Sequence, residues 1–242
     1  MRPLLACALA TLAAPLEATR GADAMFDLSV AGVTIGEASM SVLTTPGGYA
    51  VEGAADFGFL FWGGEGAAVA QGTQAGDRLA PALYELAYQG VRRPGRVEIA
   101  FEDGRAVRWD SAPPVPPEFA EGRVPVTEAH LAGVMDPLSA LVIPAAAVST
   151  PEAACRRVLP VFSGYTRFDL ALEGAVRVTD GSVDCAVSYR PVAGHRPGSP
   201  GVERVTQPGA IAVSLAPLRE GFWGPSRVAV STRFGTFEAV RR

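Results

Sequence analysis

The dipeptide Asp103-Gly104 lies between two short runs, Val97-Glu-Ile-Ala-Phe-Glu102 and Arg105-Ala-Val-Arg-Trp109, and in the first of these every second residue is apolar. Both turn residues tolerate a positive φ, so the stretch predicts two antiparallel strands joined by a tight hairpin. The same two-residue period places Phe168, Leu170 and Leu172 on one face of a second run. It does so for Val183, Cys185, Val187 and Tyr189 in a third, and for Ile211, Val213 and Leu215 in a fourth. A side-chain period of two belongs to half-buried strands, whereas an amphipathic helix repeats every three to four residues. Turn signals at Pro46-Gly47-Gly48, Gly63-Gly64, Gly76-Asp77 and Asp180-Gly181 separate such runs, and 27 Gly with 20 Pro in 242 residues leave little room for long helices. The expected fold is mostly β, an antiparallel meander.

Two segments depart from that pattern. Pro113-Pro-Val-Pro-Pro117 has one backbone donor, at Val115, and is forced into an extended form, so it is expected to cross the surface rather than join a central strand. Asp136-Pro137 supplies a helix cap and a first-turn proline, followed by Leu138, Leu141 and Val142 at helical spacing. One short helix is expected near 137–143, ended by Pro144.

Residues 2–24 combine Arg2, an apolar run from Leu4 to Leu16 and the small-x-small triplet Ala22-Asp23-Ala24, the pattern of a secretory leader. The reading is a signal peptide over 1–24 and a single β-rich domain over 25–242, located in the periplasm after export. Pro15 and Glu17 leave the run too short to span a bilayer core of roughly 30 Å. Cys155 and Cys185 would then be the only cysteines of the mature chain. An even pair in an exported protein argues for a disulfide, the alternative being two buried thiols. Closing a loop of about 30 residues is worth roughly 3–4 kcal/mol in the chain-entropy account.

A net charge of −4 and a sequence pI near 5.3 give no electrostatic footprint for nucleic acid. All 21 basic residues are Arg, and the chain has neither Lys nor Asn, which excludes a Schiff-base lysine, a P-loop lysine and an Asn-linked glycan. Gly63-Gly-Glu-Gly66 lacks the rest of a dinucleotide fingerprint, since Val69 stands where the last small residue belongs. No cofactor is expected. His130 and His195 form no ligand pair, so no metal is expected either. Asp136 and Ser139 are accounted for as a cap and its third residue, leaving a catalytic triad without positive support and no catalytic residue to name.

The most suggestive cluster is aromatic. Alternation puts Phe57, Phe59 and Phe61 on one side and Leu60 and Trp62 on the other, so both faces of this segment are apolar. One face can join a core, and the other needs a partner, a lipid or a fold-back of the turn. Tyr84 and Tyr88 share a strand face and, with Trp109, are candidates to line the same cavity.

Taken in order, Phe26-Asp-Leu-Ser-Val-Ala-Gly-Val-Thr-Ile-Gly36, the aromatic turn Phe57 to Trp62, Asp136-Pro-Leu-Ser-Ala-Leu141, Cys155, Cys185 and Tyr189-Arg-Pro-Val-Ala-Gly194 resemble the exported bacterial family catalogued as domain of unknown function 3108. The resemblance implies an envelope location and an incompletely closed β-barrel or strongly curved sheet, similar in outline to lipoprotein-carrier folds. It implies no activity. His195 stands where an aromatic residue such as Tyr is expected, so the resemblance gives that imidazole no role.

Three functions follow as expectations. The first is a non-enzymatic exported protein that holds an apolar small molecule or lipid in a concave sheet, at Phe57, Phe59, Phe61, Trp62, Tyr84, Tyr88 and Trp109. The second is a structural or assembly protein that binds another envelope protein through a sheet edge. The third is a hydrolase with a cleft near His195.

Overall fold

The computed structural model describes residues 23–59, 62–90, 94–179, 181–219 and 221–242. The expected leader lies outside them but for its last two residues. The period-two runs are strands, and the hairpins between them carry the chain through β1 (Ala24–Val30), β2 (Val33–Thr45), β3 (Gly48–Phe59), β4 (Trp62–Ala75), β5 (Arg78–Gly90), β6 (Gly95–Glu102) and β7 (Arg105–Ala112). After a long connection come β8 (Ile143–Pro144), α1 (Pro151–Ala154), β9 (Arg156–Phe162), β10 (Arg167–Thr179) and β11 (Ser182–Ala193). The chain then forms α2 (Pro200–Val205), β12 (Ile211–Pro217), β13 (Phe222–Thr232) and β14 (Gly235–Arg241). The sheet order is β7-β6-β5-β4-β3-β2-β1-β14-β13-β12-β11-β10-β9, antiparallel throughout, with β8 added beside β13. Its two meanders are joined at the centre by the first and last strands, Phe26 standing opposite Arg241.

The hairpin at Asp103-Gly104 has the expected backbone, with φ of 49° and 71°. Gly63 and Gly64 do not turn. They lie inside β4, whose first residue Trp62 is paired with Phe59. A Cβ at Gly64 would stand 2.7 Å from the Gln89 carbonyl oxygen, so glycine serves close strand approach here.

The two ends of the sheet meet across a seam. Ala132 bridges to Arg105 of β7, and the Gly133 N–H donates to the Gly104 carbonyl at 2.7 Å. On the other side the Met135 N–H donates to Pro160 and the Phe162 N–H donates back to Met135, each at 2.9 Å. Trp109 then packs edge-on against the Phe162 ring, with centroids 5.4 Å apart. A few residues of connection thus stand in for a fourteenth ladder, and the sheet is nearly closed into a barrel.

Pro113–Pro117 is exposed, as a surface crossing requires. Beyond the seam the chain turns inward at Asp136. The expected helix is a single 3-10 turn, Ser139–Leu141, because Pro137 and Pro144 bracket too few residues for more. Residues 136–142 form a plug, and β8 and α1 lead from it to Cys155, which is disulfide-bonded to Cys185 in β11. Phe26, Val51, Tyr84, Ile99, Leu138 and Phe162 belong to one buried cluster around the plug. Ile143, Cys155, Leu172, Val183, Cys185 and Leu215 form a second under the other meander.

Candidate functional site

Rows of facing residues run across the inner surface of β3 to β6, and their sizes change along the barrel axis. Val51, Ala70, Tyr84 and Ile99 stand side by side and are buried, three of the four without measurable exposure. One step along, Gly53, Ala68, Leu86 and Val97 form the next row. The third is Ala38 of β2, Ala55, Gly66, Tyr88 and Gly95. Four of these five carry no more than a methyl group. The Tyr88 ring occupies the space where Gly95 would otherwise bear a side chain, so it lies along the wall. The last row is Phe57, Gly64 and Gly90. Large side chains fill one half of this meander, and their omission hollows the other.

The hollow half is a cavity of about 630 Å³, within the roughly 300–1,000 Å³ usual for small-molecule sites. Phe26, Met40, Leu86 and Ala68 line it, and Leu138 and Leu141 of the plug reach it from inside. Phe57, Tyr88 and Leu141 are 41%, 43% and 39% exposed, and all three line this cavity. Among the described lining residues Glu65 is the only carboxylate, its side chain accepting a hydrogen bond from Gln89, and none is Arg.

The expected aromatic site is redistributed. Phe57 and Tyr88 line the cavity. Tyr84 does not, being buried one row deeper in the filled half. Trp109 does not either, since its ring is taken up by Phe162 at the seam. Phe59 and Trp62 end β3 and β4 opposite each other; their side chains, and Phe61 entirely, lie outside the described residues. The small residues Ala38, Gly53, Ala55, Gly66 and Ala68 are what sequence reading missed. Their signal was an inward strand phase occupied by Gly and Ala on neighbouring strands.

Behind the cavity floor sits a polar cluster. Asp136 and Ser139 are fully buried. One carboxylate oxygen, Asp136 Oδ1, accepts the N–H groups of Leu138 at 2.9 Å and Ser139 at 2.7 Å, which is the expected cap. The Ser139 and Tyr49 hydroxyls are hydrogen-bonded at 2.7 Å. Asp136 Oδ2 is buried with no hydrogen-bond partner among the described residues. Burial pushes the Asp136 carboxyl above its usual value, against the smaller lowering from its hydrogen bonds. Burial likewise raises Tyr49 and pushes Tyr84 up to about 12, with the charge of Asp136 adding to both.

The sign of the pH effect follows. A carboxyl raised in the folded state costs nothing below its unfolded pKa, and weakens the fold as pH rises from there through the raised native value. Asp136→Asn keeps the capping oxygen and removes the titration. The stability difference between wild type and Asp136→Asn is therefore expected to shift in favour of the variant between pH 4 and pH 8, measured by urea unfolding. Parallel pH profiles would contradict a raised Asp136.

At the far end of β11 the expected hydrolase geometry does not assemble. His195 Nε2 hydrogen-bonds the Tyr189 hydroxyl, and Nδ1 is buried with no hydrogen-bond partner among the described residues. Burial lowers the imidazole pKa, opposed by the nearby Ala193 backbone and helped by Arg123. Among the described residues no serine hydroxyl or carboxylate is hydrogen-bonded to the ring, and Ser139 is engaged with Tyr49 instead. Phe168 stacks on Tyr189 with centroids 5.0 Å apart. The Val124 N–H donates to His195 at 2.9 Å, and Gly194 donates to Val124 at 2.7 Å. Gly194 has a φ of 77°, and a Cβ there would overlap the Tyr165 carbonyl oxygen. These contacts hold a turn in shape.

The family described as a protein of unknown function, DUF3108, matches residues 25–240. The chain belongs to that family. The match covers both meanders, the seam and the plug, so the DUF3108 region here is the whole near-closed barrel. No curated protein and no solved structure matches this DUF3108 chain.

Proposed function

We propose that this protein is an exported envelope protein that binds an apolar small molecule or lipid in the hollow half of its barrel. The observation that carries the reading is the row Ala38, Ala55, Gly66, which leaves a space open beside the exposed faces of Phe57, Tyr88 and Leu141. Leaving three large side chains uncovered against an open cavity forgoes about 25 cal/mol per Å² of apolar area, a gain that an apolar ligand recovers. Export is supported by the leader pattern and by the Cys155–Cys185 disulfide, which belongs to oxidising compartments. Among the described residues no helix is long and apolar enough to cross a membrane.

The test is organic extraction of the purified protein followed by lipid mass spectrometry, together with titration of N-phenyl-1-naphthylamine followed by its fluorescence. Saturable binding is expected, weakened at least tenfold in Ala55→Phe, which fills the third row. Absence of saturable binding together with absence of any co-extracted lipid would sink the reading.

A second reading, docking of another envelope protein at a sheet edge, has one supporting observation. β9 begins opposite Glu173, so the remainder of β10 has no second strand among the described residues, and Val176 there is 72% exposed. Register shifts at the start of that segment and across Val176 work against strand addition. A photocrosslinker at position 176 yielding one dominant protein adduct in cells would favour it.

A further inference from the structure

We infer that the site, if the apolar-ligand reading above holds, selects its ligand by chain length, and that Leu138 is the specificity-determining residue that ends the chain. Along β3 the wall runs from Phe57 at the rim to Gly53 at the floor, four residue steps, or about 13 Å at roughly 3.3 Å per residue. At Gly53 the space stops: a Cβ there would be 3.2 Å from Leu138 Cδ1, so the plug leucine already rests on the bare backbone of the strand. The next row inward is filled by Val51, Ala70, Tyr84 and Ile99.

A chain cannot pass the floor by displacing Leu138. Immediately beyond it the Ser139 hydroxyl is hydrogen-bonded to the Tyr49 hydroxyl at 2.7 Å, both residues already buried. Hydrocarbon pressed into that cluster would part the pair and leave buried hydroxyls without hydrogen bonds. Leu138 is itself held from behind, since its own N–H is one of the two donors bound by Asp136 Oδ1. The ligand class is a molecule with one saturated hydrocarbon chain that enters tail first. Its polar end stays at the rim, where Glu65, Gln89 and Tyr88 supply side-chain hydrogen-bonding groups among the described lining residues.

The experiment uses straight-chain 1-alkanols of increasing length to displace N-phenyl-1-naphthylamine from the full folded protein. In wild type each added methylene is expected to tighten binding roughly fourfold, up to a length beyond which affinity stops rising. Leu138→Ala moves that break to longer chains. Ala68→Leu, which thickens the floor row beside Gly53, moves it to shorter chains and reads the same boundary should Leu138→Ala not fold. Affinity that rises without a break, or a break that stays in place in the variants, overturns the length selection while leaving apolar binding intact. Failure of the naphthylamine and of every alkanol to bind overturns the apolar-ligand reading itself.

Discussion

Phe162→Ala is expected to lower the unfolding free energy by about 3–5 kcal/mol, the largest single-residue effect among the positions described. The side chain has no measurable exposure and sits where the two ends of the sheet meet. Its ring supports the edge of Trp109 from β7. Its backbone N–H donates to Met135 in the connection that seals the seam. Truncation therefore leaves a void between strands with no direct ladder between them, where the surroundings have few bonds to hold them while they relax. Phe162→Leu, which restores most of the volume, should cost under about 1.5 kcal/mol. Urea unfolding followed by circular dichroism gives both values. A loss below about 1 kcal/mol for Phe162→Ala would mean that the seam is not held by this contact.

Removing the covalent tie should be nearly as costly. The Cys155–Cys185 pair spans 30 residues of chain, and the chain-entropy account assigns such a loop roughly 3–4 kcal/mol. Both sulfurs lie in the second buried cluster, so the Cys155→Ala/Cys185→Ala double variant keeps an apolar environment and isolates the crosslink. The tie joins the end of α1 to the inner face of β11, and through α1 it restrains the chain leaving the plug. The double variant is expected to lose stability by that amount under oxidising conditions and to match the reduced wild type. A variant as stable as the oxidised protein would show that packing alone holds α1 in place.

The strands were legible because their inner faces are written in Val, Ile, Leu and Phe at alternate positions. Val97, Ile99 and Phe101 are buried as the period requires, and so are Val183, Cys185 and Val187. The Asp103-Gly104 turn was legible because its backbone needs residues of that type. The β1–β2 reversal was marked only at its second residue: Gly32 has a φ of 79°, but Ala31 before it stands at 49°, a conformation that alanine does not announce. The Asp136 cap was legible and its burial was not, since a capping carboxylate looks the same in sequence whether it faces water or the inside of a barrel.

The seam could not be read at all. Ala132, Gly133 and Met135 bond through their backbones, so their side chains are free to be anything that fits. The site was half legible for a related reason. Phe57 and Tyr88 are visible as aromatics on strand faces, whereas the cavity between them is made by side chains that are missing. Gly and Ala at inward positions read locally as weak strand formers. Only the register of Ala38, Ala55 and Gly66 across three strands turns three separate weaknesses into one space.

The placement of β1 beside β14 also sets an order of events as the chain folds. The partners in the two meanders are near in sequence and can close early, whereas the Phe26 to Arg241 pairing must bring together the most distant residues of the sheet. While the chain lengthens, the β1–β7 meander and the strands from β9 onward can each collapse on their own buried cluster. The β1 edge has no partner until the last strand arrives, and for that interval it is an open template for pairing with other chains. The slow step, and the moment of greatest exposure to aggregation, therefore falls at the centre of the finished sheet.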